Sequence, residues 1–169
     1  MLVAQLPLAF ANPVELTSLV ALRGADGILV SFNAQVELPP PVEDALQKGI
    51  PLYFVADVEV YSPRWYWRDK RIAREKRVWR LAFQPLTRKY RVTFGSLNQN
   101  HDTLTDALNS LRRSADWRIA GPEQLEAGES YYMEFDYRLD TTQLPRPMQI
   151  GVGGEADWQL SVKRTLRLD

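Results

Sequence analysis

The sequence predicts a mainly β protein, an antiparallel β-sandwich of immunoglobulin-like kind with about eight strands and two short helices. Apolar residues recur with a period of two in segment after segment, and glycine or proline interrupts them at short spacing. No strand-then-helix repeat of the kind that builds a parallel sheet is present. With 169 residues, 45% of them apolar and 25% charged, the chain has the size and composition of one folded domain.

The first eleven residues, MLVAQLPLAFA, carry no charged side chain and end in a small-x-small pattern, Ala9-Phe10-Ala11, before Asn12-Pro13. This reads as the remnant of a secretory signal peptide cleaved after Ala11, which leaves residues 12–169 as a single sandwich domain and places the protein in the periplasm. A basic n-region is missing and Gln5 and Pro7 interrupt the run. The competing reading is an apolar first strand, against which Pro7 and Pro13 weigh because neither donates to a ladder.

From residue 16 the strand pattern begins. Ile28, Val30, Phe32, Ala34, Val36 and Leu38 alternate with Leu29, Ser31, Asn33, Gln35 and Glu37, and residues 16–22 precede them across Gly24-Ala25-Asp26-Gly27, a hairpin signature. Pro39-Pro40-Pro41 stops the sheet; Val42, Ala45 and Leu46 then fall at helical spacing before Gly49 and Pro51. Leu52, Phe54, Ala56, Val58 and Val60 form the next strand, Trp79, Leu81 and Phe83 its successor, and Tyr90, Val92 and Phe94 a third, so a meander is expected. Thr103 with Asp106 three residues on marks a helix N-terminus, and Leu104, Ala107, Leu108 and Leu111 share one helical face. A short strand follows at residues 117–119. Tyr131, Met133, Phe135, Tyr137 and Leu139 form the clearest alternation, residues 145–154 read as a Pro- and Gly-rich loop, and Trp158, Leu160 and Val162 share a face of the last strand.

Several chemistries lack their residues. There is no cysteine, hence no disulfide, thiolate metal site or cysteine nucleophile. The one histidine, His101, has no nucleophile-elbow motif anywhere to serve, and reads as a loop residue. Gly151-Val152-Gly153-Gly154 lacks the following helix that a phosphate loop needs. No cofactor or metal is expected, nor any membrane-spanning helix, which would need about 18 uninterrupted apolar residues. Asp57 with Glu59, and Glu134 with Asp136, form two outward acidic pairs that an enzyme could use as a carboxylate cleft. Cross-strand ion pairs with Arg80, Lys89 and Arg91 are the plainer expectation.

The segment 63–80, PRWYWRDKRIAREKRVWR, concentrates charge: eight basic and two acidic residues give it +6 in a chain whose net charge is zero. It also holds three of the five tryptophans. Interleaved aromatic and basic residues are what binders of single-stranded nucleic acid present. Strand parity argues otherwise, because Trp65 and Trp67 face one way and Arg64, Tyr66 and Arg68 the other, while Trp79 sides with Leu81 and Phe83. Trp65, Trp67 and Trp79 are therefore expected in the core, nucleic acid is not expected as a partner, and residues 69–75 are expected to form a solvated basic tip between two strands. The candidate interaction residues are Arg68, Lys70, Arg71, Arg74, Lys76 and Arg77.

Trp65-Tyr66-Trp67, Trp79-Arg80-Leu81, LTRKYRV at residues 86–92, TLTDALNSLRRSADW at 103–117 and LDTTQLPRPMQ at 139–149 together resemble the bacterial family called domain of unknown function 4390. The resemblance runs from about residue 16 onward. It implies an exported proteobacterial protein, often encoded beside a membrane sensor kinase of the nitrogen-regulation type, and brings no catalytic residues with it. After Trp67 the family is more often acidic, whereas this chain has Arg68-Asp69-Lys70-Arg71. The function expected is that of a non-enzymatic periplasmic interaction module whose partner is an envelope protein or a sensor ectodomain. A binder of anionic polymer or lipid head groups through residues 68–77 is the alternative.

Overall fold

The computed structural model describes residues 13–152 and 155–169. The expected signal-peptide remnant, residues 1–11, lies outside the described residues. Strand β1 (Val14–Gly24) and β2 (Gly27–Val36) form the first hairpin, and Ile28, Val30, Phe32, Ala34 and Val36 all point into the core as their alternation requires. The proline run then starts α1 (Pro40–Gln47), because proline costs nothing in the first helical turn, where N–H groups have no intrahelical acceptor. Val42, Ala45 and Leu46 bury its apolar stripe.

β3 (Leu52–Ser62) and β4 (Lys70–Gln84) make the longest hairpin, and β5 (Lys89–Phe94) and β6 (Leu97–His101) continue the meander. α2 (Leu104–Leu111) begins where Thr103 Oγ1 accepts the Asp106 N–H at 3.1 Å, the cap expected from the sequence. β7 (Arg113–Ala120), β8 (Tyr131–Leu139), α3 (Arg146–Val152) and β9 (Ser161–Leu168) complete the described chain.

All pairings are antiparallel, in two sheets ordered β1-β2-β7 and β6-β5-β4-β3-β8-β9, so the sandwich expected is the sandwich formed. Phe32 of the small sheet reaches across to Phe135 (5.0 Å between centroids), Tyr137 (5.6 Å) and Trp79 (6.2 Å) of the large one. The buried Tyr137 hydroxyl donates to the Leu111 carbonyl at 2.9 Å.

Five expectations change. The last strand, β9, starts at Ser161, so of Trp158, Leu160 and Val162 only Val162 lies in it, and Trp158 is buried from a single 3-10 turn before it. Nine strands occur among the described residues; the extra one, β6, is LNQNH, polar on both faces and therefore without readable alternation. Residues 146–152 form α3 where a loop was expected. The turn between β3 and β4 is residues 63–69, not 69–75, because Lys70 already pairs with Ser62 and the ladder continues with only one irregularity. Trp79 is buried as expected, but Trp65 is 95% and Trp67 72% exposed. Alternation orients side chains only within a strand; both rings fall in the turn, beyond Ser62 and before Lys70, so parity with Trp79 does not extend to them.

Candidate functional site

The tip of the β3–β4 hairpin is closed at its base by one carboxylate. Asp69 Oδ1 accepts the Arg64 N–H at 3.1 Å, and Asp69 Oδ2 accepts the Tyr132 hydroxyl from β8 at 2.6 Å. The Tyr132 bond, and then that of Arg64, hold the Asp69 carboxyl below its usual range; the same bond, with a smaller effect of burial, pushes Tyr132 up to about 12. Tyr132 stacks on Tyr61 with centroids 5.3 Å apart, and the Tyr61 hydroxyl donates to Glu59, which raises Tyr61 to about 12 as well. The loop is thus pinned while its apex is bare.

Trp65, Tyr66 and Trp67 are 95%, 65% and 72% exposed, and none of their N–H or O–H groups bonds to another described residue. Trp65 meets Tyr66 edge to face at 5.4 Å and 74°. Burying a ring of this size is worth about 4 to 6 kcal/mol as an upper bound, so two tryptophans of one short turn left in water are a marked departure from what folding alone favours. A cleft of about 480 Å³ opens beside Trp65 and Tyr66, which line it together with Arg64, Lys70, Glu126 and Glu129.

The six basic candidates do not form one patch. Arg68 lies in the exposed tip and Lys70 opens β4 beside it. On the outer face of the large sheet, Arg74 holds Asp57 through two bonds of 3.1 and 2.8 Å and reaches Glu59 at 3.4 Å; Arg71 stands 3.6 Å from Glu59, and Lys76 3.6 Å from Asp57. Arg77 faces inward instead. It donates to Ser114 Oγ at 2.5 Å and lies over the rings of Trp117 (4.9 Å) and Phe94 (5.6 Å), and burial pushes its pKa down.

The acidic pairs do meet. Asp57 stands opposite Asp136 and Glu59 opposite Glu134 across the β3–β8 ladder, beside a cleft of about 380 Å³. Like charges so placed repel, and the relief comes from Arg71, Arg74, Lys76 and Arg138, the last 2.7 Å from Asp136 and 3.8 Å from Asp57. The expected partners lie elsewhere: Arg80 donates to the Tyr53 hydroxyl, Lys89 to Asp102 and Arg91 to Asn100. Burial raises the Asp57 pKa, but the Arg74 bond and the charges of Arg74, Lys76 and Arg138 outweigh it and hold the carboxyl below its usual range. A general acid needs the opposite shift. His101 ends β6, and its Nε2 finds no hydrogen-bond partner among the described residues. No group of three or more His, Asp or Glu among them is placed to hold a metal ion.

Exposure of the aromatic triplet escaped the sequence reading. Its signal was there in Pro63, which cannot continue a central ladder, and in Asp69, a loop-capping residue, six positions on.

No curated protein and no solved structure matches the chain. One family does, over residues 11–167, and the chain belongs to it: Domain of unknown function (DUF4390).

Proposed function

We propose that this chain is an exported, non-catalytic protein of the bacterial cell envelope that docks on an envelope partner through the tip of the β3–β4 hairpin. The observation that carries this reading is the bare Trp65-Tyr66-Trp67 apex on a base pinned by Asp69 and Tyr132. Export is supported by the uncharged run at residues 1–11 and by a family match that begins at residue 11. No described helix is long and apolar enough to cross a membrane. An envelope protein, including the ectodomain of a sensor kinase, is one kind of partner the tip would engage. The reading of residues 68–77 as one basic patch for anionic polymer or lipid head groups has less support, since Arg71, Arg74 and Lys76 face Asp57 and Glu59 and Arg77 lies on the opposite face.

A photo-crosslinking residue placed at Tyr66, with Leu97 on the far edge strand as control, tests this in living cells. We expect the chain in the envelope fraction, with adducts, read by mass spectrometry, at position 66 and few at position 97. Equal yields at the two positions, or a chain confined to the cytoplasm, would overturn the reading.

A further inference from the structure

We propose that the surface met by this tip is an anionic lipid bilayer, with Trp65, Tyr66 and Trp67 seated at the boundary between head groups and acyl chains and Arg64, Arg68 and Lys70 at the level of the phosphates. The inference rests on the docking role of the tip and names its partner.

Indole and phenol rings have an apolar body and one polar hydrogen, and the bilayer interface satisfies both at once. All three polar groups here are unused within the described protein; Trp65 and Tyr66 line one side of the cleft that Glu126 and Glu129 line as well, yet stay 95% and 65% exposed, and Trp67 lies outside that cleft. Basic residues flank them on both sides: residues 63–70 sum to +2, and their one carboxylate, Asp69, is occupied by Arg64 N–H and the Tyr132 hydroxyl. An apolar apex followed by a basic collar is the order in which a negatively charged bilayer presents its own layers.

Shape argues for lipid over a protein groove or a nucleic acid strand. Trp65 and Tyr66 lie at 74° to each other, so the apex has no single flat face to fit a rigid pocket, whereas an interface of mobile lipids conforms to it. Single-stranded nucleic acid needs rings in succession along a positive track. Here the track stops, because Arg71, Arg74 and Lys76 face Asp57 and Glu59, and Glu126 and Glu129 line the cleft behind the rings.

Co-sedimentation with vesicles of phosphatidylglycerol and phosphatidylethanolamine, and with phosphatidylcholine alone, tests the proposal on the full chain. Brominated lipids add a direct readout: Trp79, Trp117 and Trp158 are buried, so quenching reports on Trp65 and Trp67. We expect binding to the anionic vesicles, quenching on contact, and weakening by salt. Trp65→Ala with Trp67→Ala should lower affinity roughly tenfold or more, and Arg64→Gln and Arg68→Gln about 5-fold each on anionic vesicles only. Both rings are exposed, so these variants keep the fold. No sedimentation with anionic vesicles, binding indifferent to the double tryptophan variant, or tighter binding of an oligothymidine strand through the same rings would overturn the assignment. If vesicles fail while protein adducts form at position 66 in cells, the lipid partner falls and docking stands. If both are silent, both fall.

Discussion

Two tryptophan environments lie within fifteen positions, one buried in the core and one left in water. Trp79 packs against Phe32, Phe94 and Tyr137 and is 4% exposed. Trp79→Ala should cost about 3 to 5 kcal/mol in a urea denaturation, while Trp65→Ala and Trp67→Ala should stay within about 0.5 kcal/mol of the parent. Equal losses at positions 65 and 79 would mean that the tip rings pack against something in solution. At this scale sequence reading succeeded where a strand alternates clearly: Tyr131, Met133, Phe135, Tyr137 and Leu139 are all buried as their alternation demands. It failed at Trp65 and Trp67 because parity carries no information across a turn.

The hairpins show how an element is held by one backbone position. Between β1 and β2, Ala25 and Asp26 keep negative φ and Gly27 takes +94°, the left-handed residue such a turn requires. A Cβ on Gly27 would also stand 2.0 Å from the Ala120 carbonyl oxygen of β7. Gly27→Ala should therefore destabilise by about 2 kcal/mol or more, whereas Gly24→Ala, with nothing within 4 Å, should be nearly neutral; thermal melts of the pair decide. The turn and both flanking strands were legible in the sequence. β6 was not, since an exposed edge strand of Leu, Asn, Gln, Asn and His buries neither face and leaves no period to read. Nor was α3, whose segment holds Pro147 and Gly151, residues that ordinarily argue for a loop.

For the whole molecule, the outer face of the large sheet ties stability to acidity. Asp57 has its pKa held below the ordinary 3.8, so its contribution is complete above that value and is lost as pH falls through the folded pKa. Arg74 and Lys76 are 39% and 45% exposed, and water screens part of the attraction, which leaves a contribution of roughly 1 kcal/mol. The urea midpoint should drop as pH falls below the ordinary carboxylate value of 3.8, and drop less in Asp57→Asn. An identical acid transition in the variant would remove Asp57 from the account. The acidic pairs and the basic segment were both visible in the sequence, yet which cation serves which carboxylate depends on register. Only the pairing of Asp57 with Lys76 and Glu59 with Arg74 across β3 and β4 places the charges.

The position of the tip has a mechanical side. β3 and β4 are the two central strands of the six, so tension applied at residues 63–69 enters the sheet at its middle. Pulled along the strand axis, β3 is held by its ladder to β8 over residues 54–61, close to the tip, and β4 by its ladder to β5 only from Trp79 to Gln84, so the β8 ladder takes the load in shear first. The exposed rings therefore sit on the segment that connects the two middle strands of the large sheet.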